Sequence, residues 1–115
     1  MIEDVIRAHV DAFNRRDLGA VVAGFTQDAV WITGQTTVCG HAGLAELFGG
    51  AMTGLLPTLT VQNLIAVAGR AAAQMTEELT VHGVRRVESI AGFYVVRGGL
   101  IASAKIYREG SAVVE

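Results

Sequence analysis

The spacing of apolar residues in the first half of the chain predicts helices. Residues 2 to 14 carry apolar side chains at intervals of three and four, as in a helix that buries one stripe, and His9 lies within that stripe. Asp17 stands where it can cap a second short helix, which we expect to extend to Phe25. The segment HAGLAELFGGAM, residues 41 to 52, predicts a third helix that glycines terminate.

The second half of the chain is dominated by patterns typical of β-strands. DAVWIT, residues 28 to 33, predicts a first strand, and the passage between Gly34 and Gly40 is rich in turn residues. Further strands are predicted at about residues 58 to 68, 71 to 81, 84 to 97 and 100 to 108. Only short breaks separate these four, which favours antiparallel hairpins because a parallel pair needs a long crossover. The order indicates an α+β fold with three N-terminal helices packed on one face of a curved antiparallel sheet.

Composition limits the partners that we expect. The 115 residues suit one domain, residues 1 to 115, and a chain with 51% hydrophobic but only 17% charged residues should have an oligomer interface or an apolar cavity. The net charge of -2 and the lack of like-charged runs argue against nucleic acid and membrane surfaces as partners. Cys39 is the only cysteine, and no apolar run reaches the roughly 18 residues of a membrane span. We therefore expect a cytoplasmic protein without a structural metal site.

Two adjacent glutamates, Glu77 and Glu78, lie within the strand-like run AAAQMTEELTV. The odd positions of this run are mostly apolar and the even positions are polar, so alternation places Glu77 on the buried face and Glu78 on the outer face. An apolar pocket raises the pKa of a carboxyl toward the range useful for acid/base catalysis at neutral pH. Glu77 is therefore the best catalytic candidate. Two alternatives stay open: a neighbouring arginine neutralises it, or a bulge turns it toward solvent.

The order of elements, together with AFNRRDL at residues 12 to 18 and FTQDAVWITG at residues 25 to 34, resembles the SnoaL-like branch of the nuclear-transport-factor-2-like (NTF2-like) superfamily. The resemblance covers essentially the whole chain. It implies an NTF2-like or cystatin-like roll, a cone of sheet closed by helices around a deep apolar pocket, commonly a homodimer through the sheet. This fold hosts ketosteroid isomerases, limonene-type epoxide hydrolases, polyketide cyclases and proteins that only bind or dimerise. The resemblance therefore implies a fold and leaves the activity open.

The catalytic residues of those enzymes are only partly matched in this chain. Where the isomerases have a tyrosine on the first helix, this chain has His9, and Thr33 and Ala91 replace their general base and their second acid. The Asp-Arg-Asp set of the limonene-type hydrolases falls near Glu77 and otherwise on apolar residues. Neither mechanism is carried over intact.

Several residues are nevertheless candidates for a pocket. Glu77 and His9 would form an acid/base pair able to enolise a carbonyl compound, close a ring or activate a water, although a histidine on an apolar stripe is also typical of a core. Trp31 offers an apolar wall with one N–H donor, and Arg108 has the parity to pair with Glu77 or bind a ligand anion. The other residues that we expect to line the pocket are Phe13, Thr33, Met75, Phe93 and Ile106.

Together these features predict a homodimeric pocket protein that uses neither metal nor cofactor. Its expected ligand is a small apolar molecule of polyketide-like or terpenoid-like character. As an enzyme it would perform acid/base chemistry such as cyclisation, isomerisation, hydration or epoxide hydrolysis, with Glu77 as base or acid and His9 as its helper. The alternatives are a binding protein without catalysis and a dimerisation module whose interior is filled by side chains.

Overall fold

Three helices and six strands form an α+β fold within residues 1–54 and 56–109, the part of the chain that the computed structural model describes. In chain order they are α1 (Ile2–Asn14), α2 (Leu18–Ala23), β1 (Phe25–Thr33), β2 (Thr36–Cys39), α3 (Gly40–Thr53), β3 (Thr58–Val67), β4 (Arg70–Val81), β5 (Val84–Arg97) and β6 (Leu100–Arg108). No helix of these residues is long and apolar enough to cross a membrane.

The helices form where the apolar spacing predicts them. α1 buries its predicted stripe, including His9, against the sheet. The expected cap of α2 is confirmed, because Oδ1 of Asp17 accepts a hydrogen bond of 3.1 Å from the backbone N–H of Ala20. The prediction that α2 extends to Phe25 is wrong. Phe25 begins β1 instead, because it pairs with Ile101 of β6, and this long-range pairing overrides the helical spacing.

A short strand occupies the passage that the sequence marked as turns. β2 pairs antiparallel with β1, with Val38 opposite Trp31 and Thr36 opposite Thr33. The two strands are joined by a two-residue turn at Gly34, whose φ of 57° lies in the left-handed region that favours glycine. The four residues of β2 are half-buried or exposed, so they show too little alternation to be predicted as a strand.

The six strands form one sheet in the order β2-β1-β6-β5-β4-β3. The predicted antiparallel hairpins of β3 to β6 are confirmed, and β1 and β2 also run antiparallel. β1 and β6 run parallel. A short turn dictates the direction of the two strands that it joins, but β1 and β6 meet from opposite ends of the chain. The sheet is therefore mixed.

The four later strands are confirmed to within one residue at each end. The first of their turns lies at Ala68 and Gly69, one residue before the predicted position, and both residues have positive φ values of 52° and 80°. The pairing register shifts at two places: between Val61 and Asn63 of β3, and between Val95 and Val96 of β5 where it pairs with β6. Irregularities of this kind bend a sheet. The three helices cover the inner face of the curved sheet, as expected for a cone, and leave space at its centre.

Candidate functional site

An apolar cavity of about 140 Å³ lies between the helices and the inner face of the sheet. An engineered cavity of about 150 Å³ is known to hold one benzene molecule, so this space suits a ligand portion of about one ring. The lining side chains come from both layers and from the segment before β3: His9, Phe13, Trp31, Thr33, Leu47, Phe48, Ala51, Pro57, Leu59, Met75, Glu77, Ile90, Tyr94, Ile106 and Arg108. The interior is therefore not completely filled by side chains.

Eight of the nine predicted site residues line this cavity: His9, Phe13, Trp31, Thr33, Met75, Glu77, Ile106 and Arg108. The prediction for Phe93 is wrong. Its side chain is 54% exposed on the outer face of the sheet, where its ring meets that of Tyr107 at a centroid distance of 5.7 Å. Successive residues of a strand face opposite sides, and on β5 it is Gly92 and Tyr94 that face inward.

Glu77 faces the cavity, as alternation predicts, and only 12% of its side chain is exposed. Its carboxylate is ion-paired with Arg108, which also pairs with Glu88 at 2.9 Å. Glu88 lies directly opposite Glu77 in the register of β4 and β5, so two carboxylates share one guanidinium. Of the alternatives that the sequence left open, the arginine partner is present, while the continuous register of β4 with β5 contains no bulge. Glu78 faces outward and binds Arg85 at 2.6 Å.

The charged groups at this end of the cavity hold Arg108 in its protonated form. Burial lowers the pKa of Arg108, but hydrogen bonds and charges from Glu77 and Glu88 act the other way, and the pKa is raised overall. Glu88 has a second partner in Arg86, at 3.6 Å. Charges therefore alternate in sign from Glu77 through Arg108 and Glu88 to Arg86, and the side chain of Arg108 is 40% exposed.

Four aromatic rings surround the imidazole of His9. Its ring centroid lies 5.4 Å from that of Phe25, 5.8 Å from those of Trp31 and Phe48, and 6.3 Å from that of Tyr94. Burial in these surroundings lowers the pKa of His9 to about 4, because the charged form loses its hydration. The Nδ1 atom is buried and has no hydrogen-bond partner among the residues that the structure describes. His9 is therefore neutral at neutral pH and is not a fully satisfied core residue.

Tyr94 is a cavity residue that the sequence interpretation missed. Its side chain is only 2% exposed, and its ring lies over Gly92, where an added Cβ atom would come within 2.7 Å of Cε2. Burial raises the pKa of its hydroxyl. The register of β5 with β4 could have revealed its position. Met75 faces inward and pairs with Ile90, so Ile90 and every second residue after it, Gly92 and Tyr94, also face inward.

The three histidines lie in different parts of the fold. His9 faces the cavity, Nε2 of His41 lies 3.0 Å from the backbone oxygen of Phe25, and His82 occupies the turn between β4 and β5. Within residues 1–54 and 56–109, no group of three or more His, Cys, Asp or Glu side chains is placed to hold a metal ion.

This mixed sheet with three helices on its inner face has the NTF2-like architecture. The sequence places the chain within that class: residues 6–104 match the SnoaL-like domain, and the protein belongs to this family. A comparison with curated protein sequences finds no match.

Solved structures with the same fold include proteins of several kinds. A hypothetical protein with a ketosteroid isomerase-like fold from Catenulispora acidiphila, solved in complex with trimethylamine, is 15% identical with a TM-score of 0.86 over 95% of this chain and 88% of that chain. An LEH-like epoxide hydrolase from M. tuberculosis is 18% identical, with a TM-score of 0.84 over 93% and 81% of the two chains. SalBIII is an epoxide hydrolase/cyclase-like enzyme with a role in pyran ring formation in the polyether salinomycin. It is 20% identical, with a TM-score of 0.85 over 93% of this chain and 89% of that chain. At these identities the likeness shows the fold alone.

Proposed function

We propose that this protein is a cofactor-independent acid/base enzyme acting on a small, mostly apolar molecule. The observation that carries the proposal is that Glu77 and His9 line the same apolar cavity. A carboxylate can accept a proton from a substrate or a water, and a neutral imidazole can donate one hydrogen bond and accept another. The cavity walls exclude water from the reacting groups and strengthen their interactions with a substrate.

The two candidate residues would have different roles. Glu77, paired with Arg108, is the base that removes a proton from carbon next to a carbonyl or from a water that opens an epoxide. His9 is uncharged and orients an oxygen atom of the substrate. The reactions open to this pair are isomerisation, cyclisation and hydration, including epoxide hydrolysis. SalBIII and the LEH-like hydrolase share the fold and support reactions of this type.

The proposed substrate class is polyketide-like or terpenoid-like, with one ring or a comparable apolar segment inside the cavity. The volume of about 140 Å³ supports a limit of this size on the enclosed part. Trp31, Phe48 and Phe13 provide broad apolar walls for such a group.

The second candidate function is ligand binding without catalysis. The arrangement of Glu77, Arg108 and Glu88 favours it, because networks of paired charges also occur as purely structural features. The replacement of the isomerase acids by Thr33 and Ala91 favours it as well. This alternative predicts that a ligand raises the melting temperature but is recovered unchanged.

Two one-ring probes distinguish these functions. Acetophenone in D₂O reports proton abstraction through deuterium exchange of its methyl group, and styrene oxide reports hydration through diol formation. We expect Glu77→Gln to lower the enzyme-dependent rate at least about 100-fold, since the amide cannot accept the proton. Glu78→Gln is the matched control, because Glu78 is the adjacent carboxylate on the outer face, and its rate should stay within about twofold of the wild type.

The enzyme proposal is rejected if Glu77→Gln retains the wild-type rate. Thermal stabilisation by both probes without exchange or diol formation supports the binding protein instead.

We also propose a homodimer that forms through the outer face of the sheet. Phe93 and Tyr107 are 54% and 50% exposed there, and Ile65 and Val67 of β3 are 65% and 70% exposed. The register places Ile65, Ala72 and Phe93 in one row across three strands, so the apolar surface is continuous. Exposed apolar surface of this kind marks interaction sites in soluble proteins.

The mass of the protein in solution tests this dimer. Sedimentation equilibrium should give twice the chain mass for the wild type and the chain mass for Phe93→Glu, which introduces a charge into the apolar row. Val84→Glu is the control, since Val84 is 63% exposed but lies at the start of β5, away from this row. A monomeric wild type, or a dimeric Phe93→Glu, would contradict the proposal.

A further inference from the structure

The cavity has two polar regions of different character. Glu77 and Arg108 place charges at one end, where the guanidinium is 40% exposed. Deeper in the fold, the polar groups on the cavity wall include those of His9 and Tyr94, which are 6% and 2% exposed. Neither of these two side chains is charged at neutral pH. A ligand that fills the cavity therefore meets an ion pair at one end and neutral groups at the other.

The hydroxyl of Tyr94 has no hydrogen-bond partner among residues 1–54 and 56–109. Among the described residues, Nδ1 of His9 is the fully enclosed side-chain atom without a partner, whereas the Tyr94 hydroxyl keeps some accessible surface and is free to bind a molecule in the cavity. Since Tyr94 also lines the cavity, the space next to it is where a partner atom can stand. Burial disfavours loss of the phenolic proton, so the group is a hydrogen-bond donor at physiological pH.

The backbone around Tyr94 fixes the place of this donor. The ring lies over Gly92, the previous inward residue of β5, and no other residue type would leave that space free. Gly92 is four residues from Glu88, which faces Glu77 across the strands, and four residues of strand span roughly 13 Å. The backbone therefore places Gly92 and the Glu77–Glu88 pair at separate positions along the strands.

We propose that the Tyr94 hydroxyl is a subsite for one uncharged oxygen atom of the ligand, of the ketone, ether or epoxide type. A neutral donor in a mostly apolar wall matches a neutral acceptor, whereas a carboxylate ligand would be buried there without a cation. The ring centroid of His9 lies 6.3 Å from that of Tyr94, but His9 is uncharged and so supplies no positive charge for a carboxylate ligand. The inference rests on the proposed function only in placing the ligand in this cavity, and it requires no catalysis.

Two ligands of nearly equal shape test the subsite. Acetophenone carries a carbonyl oxygen, and α-methylstyrene has a CH₂ group in its place. The dissociation constants of both are measured by NMR titration with the wild type, with Tyr94→Phe and with Tyr107→Phe. Tyr107 is the matched control, because it is the other tyrosine of the chain and lies on the outer face. The two ligands are hydrated differently in water. Each ligand's dissociation constant is therefore compared between variants, so that the hydration of the free ligand cancels.

We expect Tyr94→Phe to weaken acetophenone about fivefold to tenfold and to change α-methylstyrene less than about twofold. Tyr107→Phe should leave both constants unchanged. The subsite is rejected if Tyr94→Phe weakens both ligands equally, if it weakens neither, or if acetophenone does not bind the wild type at millimolar concentration. Turnover is not part of this readout, so the binding result stands or fails independently of the Glu77→Gln rate measurements.

Discussion

Asn14 binds the backbone of Leu59 in both directions. The backbone N–H of Leu59 donates to Oδ1 of Asn14 at 2.9 Å, and Nδ2 of Asn14 donates to the carbonyl oxygen of Leu59 at 2.8 Å. Arg16 adds hydrogen bonds to the carbonyl oxygens of Leu56 and Pro57, at 2.8 and 2.6 Å. The polar segment that ends α1 thus attaches the helix to β3 beside the cavity, where Leu59 is a lining residue.

We expect Asn14→Ala to lower the free energy of unfolding by about 2 kcal/mol, because the half-buried peptide groups of Leu59 lose both partners. Chemical denaturation at neutral pH measures this change. Asn63→Ala is the control, since the Asn63 amide binds the exposed Gln74 side chain, and it should cost less than about 0.5 kcal/mol. Equal costs for the two variants would show that the link between α1 and β3 adds no stability.

The elements that could be predicted from the sequence are those that depend on neighbouring residues. α1, the Asp17 cap and the four later strands follow from apolar spacing, capping preference and short turns. The parallel pairing of β1 with β6 could not be predicted, because no local turn determines it. β2 was missed because its four residues lack a buried face.

The site was predictable to a similar extent. Alternation along β4 is strict enough to place Glu77 inward. On β5, however, Phe93 and Tyr94 are adjacent aromatic residues, and either parity buries one of them. Only the register with β4 selects Tyr94, and only that register brings Glu88 opposite Glu77. Local patterns thus predicted individual residues, whereas the cross-strand partners needed the structure.

Arg108 separates two carboxylates that face each other across the strands. We expect Arg108→Met to lower the free energy of unfolding by about 1 to 2 kcal/mol, a modest value because the guanidinium is 40% exposed. The double variant Arg108→Met/Glu88→Gln should recover most of the loss, since one of the repelling charges is gone. Urea denaturation of the single and double variants provides the test. A double variant no more stable than Arg108→Met would indicate that packing of the arginine stem, and not charge, accounts for the loss.

The contact between Gly92 and Tyr94 predicts a strong coupling in a double-mutant cycle. Gly92→Ala should cost about 2 kcal/mol or more, because its Cβ atom would overlap the Tyr94 ring and force it aside. In a Tyr94→Ala background the same change should cost less than about 0.5 kcal/mol, because the ring is absent. Thermal or chemical unfolding of the four proteins measures the coupling. Additive effects would contradict the observed placement of the ring.

The burial of His9 makes stability depend on pH in a defined direction. Its pKa is lowered to about 4 in the fold, so between that value and the ordinary 6.5 the unfolded chain binds more protons than the folded one. The contribution of neutral His9 is therefore complete above pH 6.5 and is lost as the pH falls to 4. The shift corresponds to about 3 kcal/mol at most.

His9→Phe removes the titrating group and keeps an aromatic ring among Phe25, Trp31 and Phe48. All other ionisable groups are the same in the two proteins, so the difference between the two unfolding curves isolates His9. We expect the variant to gain about 3 kcal/mol relative to the wild type when the pH is lowered from 7 to 4. Parallel stability profiles over that range would mean that the imidazole is protonated within the fold, and His9 could then no longer be assigned the role of an uncharged group at the cavity.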